Sequence, residues 1–239
     1  MTDSIHALLL AAGLGTRLRP VTLTKPKCLV KIGGEPLLEK WLKKLESCSC
    51  NGALVNTHYL AEQVHKYIEK RPQGNMDVRC IFEPELLGTA GTLIANENMF
   101  KGSIGLLIHA DNATDFDLRE LIEAHKQRPK ECILTMLTFD TDNPQSCGIV
   151  ELDELGIVQT FHEKVKNPPG NRANGAVYAF NEDLIQEIKK LGDGISDMSK
   201  EVIPKLTKRI FTKHTTEKFI DIGTPSSLKK AGDIWKHKE

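Results

Sequence analysis

The first half of the chain alternates apolar runs with segments of helical periodicity, and this alternation constrains the fold more than any other feature. The runs IHALLLAA, GALVNTH, MDVRCIF, SIGLLIHA and ECILTMLTF read as strands, and the stretches between them, such as PLLEKWLKKLES and LAEQVHKYIEK, read as helices. Strands that are almost continuously hydrophobic are covered on both faces, whereas a one-sided sheet would alternate. The pattern therefore predicts an α/β fold with a doubly wound, mostly parallel, Rossmann-like mixed sheet and helices on both faces.

From about residue 146 the chain is predicted to be richer in β-structure. CGIVELDELGIVQTFHEK indicates a hairpin with its turn at residues 153–156, and RANGAVYAF indicates another strand. A last helix is predicted to start at Thr224-Pro225, because threonine is a good N-cap and proline suits the first helical position. The remaining predicted elements are helices starting near Asn181 and Ser196 and strands around Arg209 to Thr212 and Lys218 to Ile222.

A glycine loop with two basic residues follows the first predicted strand, in LLLAAGLGTRLRPVTLTKPKCLV. Glycines let backbone N–H groups approach phosphate oxygens closely, so this loop is a candidate anion site. Gly13-Leu-Gly15 begins like the dinucleotide-binding fingerprint, but a leucine replaces the third glycine and two prolines interrupt the helix that should follow. The GK[ST] ending of the Walker loop is also missing from it. On these residues alone, the loop could equally be a tight turn.

Taken as a whole, LAAGLGTRLRPVTLTKPKCLVKIGGEPLL resembles the signature of the sugar-1-phosphate nucleotidyltransferases, in which a glycine loop, Arg, Pro, Thr and a Lys ten residues after the Arg recur in this order. The resemblance covers essentially the full chain, through EPELLGTAG, LLIHAD, CGIVELDELG, NGAVYAF and DIGTP. VNTHYLAEQV and LLGTAGTL are similar to the mannose-1-phosphate and manno-heptose-1-phosphate guanylyltransferases. The resemblance implies an enzyme that transfers a nucleotidyl group from a nucleoside triphosphate to a sugar 1-phosphate and releases pyrophosphate.

The resemblance implies catalytic roles for the two basic residues of the loop region. Arg17 would bind the triphosphate and the leaving pyrophosphate, because a planar guanidinium suits bidentate phosphate contacts. Lys27 would bind the α-phosphate as a point charge. The full set implied to bind the nucleotide is Leu10, Ala11, Ala12, Gly13, Gly15, Thr16, Arg17, Glu83, Gly88, Thr89 and Asp111.

Asp111 and Asp221 each end a predicted strand, LLIHAD and KFID, so their carboxylates can converge at one sheet edge. Mg²⁺ prefers one or two carboxylates whose oxygen set is completed by phosphates and water. The two residues correspond to the metal-binding positions of the family, which implies Mg²⁺ as the cofactor. By themselves, both could equally be turn residues.

The resemblance places the sugar phosphate on the later part of the chain. Glu163 can accept hydrogen bonds from sugar hydroxyls and Lys164 can neutralise the phosphate, although the pair could also be a surface ion pair. Gly148 and Gly175 would leave room for the sugar ring, with Asn174 donating to a hydroxyl; either glycine could instead mark a strand bulge.

One domain is expected over residues 1–239, because no low-complexity linker or internal repeat interrupts the chain. Within it, residues 1–145 would bind mainly the nucleotide and residues 146–222 mainly the sugar phosphate, the latter as a small β-rich elaboration. Residues 224–239 would form the C-terminal helix.

Glu83 corresponds to the family position that faces the base edge. Guanine offers adjacent N1–H and N2–H donors that match two carboxylate oxygens, whereas uracil and thymine suit an amide better. GTP is therefore the preferred donor, with a mannose- or manno-heptose-type acceptor. The alternatives are a uridylyl-, thymidylyl- or cytidylyltransferase acting on another sugar 1-phosphate or phosphocholine, and a non-catalytic regulatory homologue that binds nucleotide sugars.

The 32 basic and 32 acidic side chains cancel, which argues against nucleic acid or an anionic membrane as the main partner. No window approaches the roughly 18–20 apolar residues of a membrane span, and residues 1–12 lack a signal peptide's basic region and cleavage site. The six cysteines contain no CxxC pair and are expected to be reduced thiols. A cytoplasmic protein is predicted, with a homodimer as its one candidate assembly.

Overall fold

A computed structural model describes residues 4–72 and 74–236. The strands in chain order are β1 (Ile5–Leu10), β2 (Lys31–Ile32), β3 (Glu35–Pro36), β4 (Gly52–Thr57), β5 (Asp77–Phe82), β6 (Ile104–His109), β7 (Asn112–Thr114), β8 (Leu134–Asp140), β9 (Gly148–Leu152), β10 (Val158–Glu163), β11 (Arg172–Phe180), β12 (Ile210–Thr215) and β13 (Phe219–Asp221). The α-helices are α1 (Leu37–Ser47), α2 (Ala61–Lys70), α3 (Gly88–Ala95), α4 (Leu118–Gln127), α5 (Glu182–Lys190) and α6 (Pro225–Ile234). Short helical turns occupy Thr16–Leu18, Val21–Leu23, Lys27–Leu29, Glu97–Phe100, Pro144–Ser146, Met198–Val202 and Ile203–Lys205.

The chain divides into two compact units. The hairpin unit consists of the described parts of residues 1–6, 87–107 and 117–216. The loop unit consists of the described parts of residues 7–86, 108–116 and 217–239. Strands β1 and β6 each begin in the hairpin unit and end in the loop unit.

The strand order explains why each unit has a layered core. In the hairpin unit the order is β10-β9-β11-β6, and β8 pairs with both β11 and β12. In the loop unit the order is β6-β1-β4-β5, with β4 and β5 parallel. The predicted α/β fold with a mixed, mostly parallel sheet is confirmed.

Consecutive residues of the central strands are buried, as their continuous hydrophobicity predicted. Ala7, Leu8 and Leu9 of β1 have no exposed surface. Successive side chains of a strand point to opposite faces, so burial of three in a row means that both faces are covered. Helix α1 contributes an apolar stripe to the loop unit, and its buried residues are Leu37, Leu38, Trp41, Leu42 and Leu45.

Asp221 lies on a small sheet of its own, which differs from the sequence prediction of one sheet edge. Strand β13 pairs antiparallel with β7, and the register places Asp221 opposite Asn112. The Ile222 N–H extends this ladder by donating to the Asp111 carbonyl at 3.1 Å. Asp111 follows β6, so two different sheets bring the carboxylates together.

The predicted hairpin is confirmed, and so is the start of the final helix, which ends at Ile234 and not at 239; residues 237–239 lie outside the described part of the chain. In the β9–β10 hairpin, Asp153 accepts from the Leu155 and Ile157 N–H groups at 3.0 and 2.9 Å. Helix α6 starts with Thr224 as N-cap in a reciprocal capping box with Ser227. The helix expected near Ser196 is instead the short turn Met198–Val202, which leads directly into the turn Ile203–Lys205. No helix within the described ranges is long and apolar enough to cross a membrane.

His125 on α4 forms a buried polar network in the hairpin unit. Its Nδ1 lies 2.9 Å from the Thr135 hydroxyl oxygen and its Nε2 lies 2.9 Å from the Asn181 side-chain oxygen. Burial, reinforced by the charge of Arg128, lowers the pKa of His125 from 6.5 to about 4.

This shift predicts acid sensitivity. The unfolded chain protonates His125 near its ordinary pKa while the folded chain does not, so stability is lost as pH falls from about 6.5 towards 4. We expect this residue alone to remove about 2 kcal/mol of unfolding free energy between pH 7 and pH 5. Urea unfolding of the wild type and His125→Gln at both pH values measures it, and an equal pH dependence in the two proteins would contradict it.

Candidate active site

A compact charge cluster lies in the loop unit and unites four residues from separate parts of the sequence. The Lys27 Nζ lies 2.5 Å from Oδ2 of Asp111 and 3.4 Å from Oδ1 of Asp221. The Arg17 Nη2 lies 3.9 Å from Oδ2 of Asp221. The Lys27 side chain is only 11% exposed. The predicted convergence of Asp111 and Asp221 therefore includes both basic residues.

The charges of the cluster stabilise one another. Burial by itself would raise the pKa of the Asp111 carboxyl, but the Lys27 ammonium and the charge of His109 outweigh it, and the pKa lies below its ordinary value. Asp111 is thus ionised at neutral pH and attracts cations.

Apolar anchors and a glycine place the basic residues of the cluster. Lys27 opens the turn Lys27–Leu29, and the adjacent Cys28 is buried, which raises the pKa of its thiol to about 12. Gly223 makes room on the other side, because a Cβ there would lie 2.9 Å from both Arg17 Nη2 and Asp221 Oδ2. Sequence reasoning did not include Gly223 in the site, although it stands in the DIGTP motif.

The conformation of the glycine loop is fixed by contacts at Gly15. Gly15 has a φ of +61°, and a Cβ there would lie 2.8 Å from Cγ2 of the buried Thr22. The Gly15 carbonyl accepts from the Thr22 hydroxyl at 2.7 Å and from the Leu18 N–H at 2.9 Å. At Gly13, by contrast, an added Cβ would meet no described atom within 4 Å. Glycine at position 13 therefore leaves open space next to the backbone.

The residues before the glycines are engaged by the protein itself. The Leu10 carbonyl accepts from the Ala110 N–H at 3.1 Å. The N–H groups of Ala11 and Ala12 donate to Oδ1 of Asn56 at 2.6 and 3.2 Å. The N–H groups of Ala11 and Ala12 are therefore already used within the chain, and the nucleotide contacts of Leu10, Ala11 and Ala12 stay predictions.

Glu83 is buried and bound to Asn56. The residue is 3% exposed, and its Oε1 accepts from Nδ2 of Asn56 at 3.0 Å. The contact between Glu83 and guanine stays a prediction. Sequence reasoning missed Asn56, although it stands in the VNTHYL motif that contributed to the resemblance.

Gly88 and Thr89 belong to the hairpin unit, where they bind the segment before the turn Met198–Val202. Gly88 has a φ of +76°, and a Cβ there would lie 2.5 Å from the Ser196 carbonyl oxygen. The Ala90 N–H donates to that same oxygen at 2.8 Å, and the Met198 N–H donates to the Thr89 hydroxyl at 2.7 Å. These contacts fix the conformation at Gly88 and engage the Thr89 hydroxyl, and the nucleotide contacts of the two residues stay predictions.

The β9–β10 hairpin brings Gly148, Glu163 and Lys164 together. Glu163 lies opposite Gly148 in the hairpin. A Cβ added at Gly148 would lie 2.4 Å from the Phe161 ring and 2.8 Å from Oε2 of Glu163. Gly148 is therefore needed to seat these two side chains, whatever it does for a sugar. The Lys164 Nζ lies 3.2 Å from Oε1 of Glu163.

Asn174 and Gly175 lie at a bulge in β11, between Asn174 and Tyr178. The Asn174 oxygen accepts from the Ala176 N–H at 2.9 Å, and its Nδ2 donates to the Tyr178 hydroxyl at 2.7 Å. Burial raises the pKa of Tyr178 well above its usual range. The second amide hydrogen of Asn174 is the one that a sugar hydroxyl could accept.

Comparison with known proteins decides the family. Residues 6–236 match the family described as nucleotidyl transferase. The chain belongs to the nucleotidyl transferase family. Members of this family generally use a divalent metal ion.

Individual relatives agree with this membership. The chain is 32% identical over 232 residues to the mannose-1-phosphate guanylyltransferase catalytic subunit beta of Drosophila melanogaster; the match covers 95% of the chain but 61% of that relative's length. HddC from Yersinia pseudotuberculosis has a similar structure, with a TM-score of 0.78, 26% identity and coverage of 97% and 99% of the two chains. A Bacillus anthracis protein provisionally designated a glucose-1-phosphate thymidylyltransferase, solved with sucrose, shares the fold with a TM-score of 0.87, 19% identity and coverage of 99% and 97%.

The two carboxylates of the charge cluster, Asp111 and Asp221, fit a metal ion. Asp111 and Asp221 already share one cation, the Lys27 ammonium, so both can direct oxygens at a common positive charge. Within residues 4–72 and 74–236, no group of three His, Cys, Asp or Glu side chains is assembled for a metal. Two carboxylates completed by phosphate and water form a donor set that fits a hard divalent cation.

Gly223→Ala tests the packing of the charge cluster. We expect its Cβ to push the Arg17 guanidinium away from Asp221 and to lower turnover at least about tenfold. The folded structure is retained, because only the side chains of Arg17 and Asp221 must move. The matched control is Gly232→Ala on α6, where an added Cβ meets no described atom within 4 Å. Turnover and urea midpoint are measured for both variants, and equal turnover in both would contradict the role of Gly223.

Proposed function

We propose that this nucleotidyl transferase transfers a nucleotidyl group, by preference GMP from GTP, to the phosphate of a mannose- or manno-heptose-type sugar 1-phosphate. The observation that carries the proposal is the Lys27 ammonium between Asp111 and Asp221, with Arg17 beside them. Such a cluster provides what two phosphate reactants need, which is positive charge at fixed positions and carboxylates for a divalent cation.

The reaction is a single displacement. A phosphate oxygen of the sugar 1-phosphate attacks the α-phosphorus, the new O–P bond forms, and the bond from the α-phosphorus to the bridging oxygen breaks, so that pyrophosphate leaves with the electron pair. No protein nucleophile is required. The barrier arises mainly from repulsion between two anions and from their alignment, which positioning and positive charge can lower.

The charged residues have separate roles in this displacement. Lys27 would bind the α-phosphate and stabilise the charge that develops there, and Arg17 would hold the leaving pyrophosphate with its planar fork. Asp111 and Asp221 would hold Mg²⁺, which supplies further positive charge to phosphate oxygens when bound. Thr16 and the open space next to Gly13 belong to the same loop and would accommodate the triphosphate.

The acceptor is assigned to the hairpin unit. Lys164 would neutralise the sugar phosphate, and Glu163 would accept from sugar hydroxyls. Asn174 would donate its second amide hydrogen, next to Gly175 at the bulge. The basis for GTP is the name of the Drosophila relative, together with the predicted match between the Glu83 carboxylate and the guanine donors. The homodimer and the cytoplasmic location remain predictions.

A substrate panel tests the function. Purified protein with Mg²⁺ is given each nucleoside triphosphate with mannose, heptose, glucose and N-acetylhexosamine 1-phosphates and phosphocholine, and pyrophosphate release is measured. We expect the fastest release with GTP and a mannose- or heptose-type acceptor. A different best pair would identify another transferase, and binding without release would favour a regulatory homologue.

Asp111→Asn and Asp221→Asn test the carboxylates on the best pair. Each change removes a negative charge and keeps the shape of the side chain, so we expect turnover to fall at least about 100-fold at saturating Mg²⁺. Asp233→Asn, whose exposed carboxylate pairs with Lys236, is the matched control. Near-normal turnover in both site variants would exclude them as the metal ligands.

A further inference from the structure

A buried line of hydrogen bonds joins Glu83 to the start of the glycine loop. Asn56, at the end of β4, is 4% exposed. Its Oδ1 accepts from the Ala11 and Ala12 N–H groups at 2.6 and 3.2 Å, and its Nδ2 donates to Oε1 of Glu83 at 3.0 Å. The Glu83 N–H in turn donates to the Thr57 carbonyl at 2.8 Å, which fixes Glu83 beside β4. One amide side chain thus connects a carboxylate to two backbone donors.

The chemistry of the partners determines the orientation of the Asn56 amide. Backbone N–H groups only donate, so the amide oxygen must face Ala11 and Ala12. On the other side, the amide nitrogen donates to Oε1 of Glu83. Rotating the amide by 180° would place its nitrogen against the two backbone donors, and buried polar groups without partners are costly. Glu83 and the two backbone N–H groups therefore favour the same orientation of Asn56.

We infer that Asn56 and Glu83 are positioning residues for the nucleotide, which act through the backbone of the glycine loop. The inference rests on the proposed function of this loop in binding the triphosphate. The anchored N–H groups immediately precede Gly13 and Gly15, so the direction in which the chain leaves β1 is set where Asn56 binds it. The geometry assigns to Glu83 a part in the support of the loop.

The location of Asn56 agrees with this role. The neighbours of Asn56 on β4 are buried, and Val55 has no exposed surface. An apolar residue at position 56 would pack in this environment without the cost of desolvating an amide. The amide instead satisfies two donors that lie at the first bend of the loop. A displacement of the loop by about 1 Å can cost on the order of 100-fold in rate, so a rigid support at this point affects catalysis without contact with the reacting atoms.

An exchange of donor and acceptor tests the inference. Asn56→Asp replaces Nδ2 by an oxygen that would face Oε1 of Glu83 across the present 3.0 Å, and two carboxylates repel. We expect the KM for GTP, and the Kd for GTP with Mg²⁺ by calorimetry, to rise at least about tenfold. The KM for the sugar 1-phosphate should stay within about twofold. Asn75→Asp, at an exposed position, is the control for the added charge.

The double variant Asn56→Asp/Glu83→Gln restores complementarity with almost unchanged shape. The amide nitrogen of the new side chain at position 83 can donate to the carboxylate at position 56, whose second oxygen still accepts from Ala11 and Ala12. We expect its KM and Kd for GTP to return to within about threefold of the wild-type values. Urea midpoints of all variants separate this recovery from a gain in the folded fraction.

Three results would overturn the inference: an unchanged KM and Kd for GTP in Asn56→Asp, a double variant as impaired as Asn56→Asp, or equal changes in the KM values of both substrates. The proposed function fails differently, since wild-type protein would then release no pyrophosphate with any substrate pair. In that case the Kd for GTP still compares the single and the double variant.

Discussion

The Lys27 ammonium, held between the carboxylates of Asp111 and Asp221, is the interaction on which the arrangement of the loop unit depends. A largely buried ammonium costs free energy unless opposite charges and hydrogen bonds compensate it. The two carboxylates come from the end of β6 and from the small β7–β13 sheet, and Lys27 comes from the turn after the glycine loop. The one ion-pair cluster therefore fixes three parts of the chain relative to one another.

Hydrogen bonds within the chain support the glycine loop at several points. Asn56 binds the N–H groups of Ala11 and Ala12, and Thr22 binds the carbonyl of Gly15. Transfer between two phosphates depends mainly on positioning and on charge that is already in place, since the protein contributes no covalent step. A loop fixed by buried hydrogen bonds, ending at a paired lysine, supplies this preorganisation.

Local sequence signals predicted the elements that local interactions determine. Four of the five apolar runs gave largely buried strands, whereas β5 is exposed or half-buried along its length. The Asp153 turn gave the β9–β10 hairpin, and Thr224-Pro225 gave the start of α6. The motif from Arg17 to Lys27 contains both basic members of the charge cluster, but it did not predict their contacts with Asp221. These signals lie within a few residues of the structure they specify, or within one motif.

Contacts between distant segments could not be predicted in the same way. The hydrogen bond from Asn56 to Glu83 spans 27 residues, and that from Met198 to Thr89 spans 109. Nothing in the neighbourhood of Glu83 or Thr89 shows that these side chains are already engaged. Resemblance alone assigned them to the nucleotide, and their hydrogen bonds within the chain could be found only from the fold. The same reason explains why Gly148, expected to make room for a sugar, is required by Phe161 and Glu163.

The most direct measurement of the central claim is the turnover number of Lys27→Met at saturating nucleotide, sugar 1-phosphate and Mg²⁺. Methionine keeps the length and the apolar stem of the side chain and removes the charge. If the ammonium stabilises the transferring phosphate, kcat falls at least about 100-fold in protein that remains folded. A kcat within about threefold of the wild-type value would show that the cluster of Lys27, Asp111 and Asp221 serves the fold alone and does not carry the transfer.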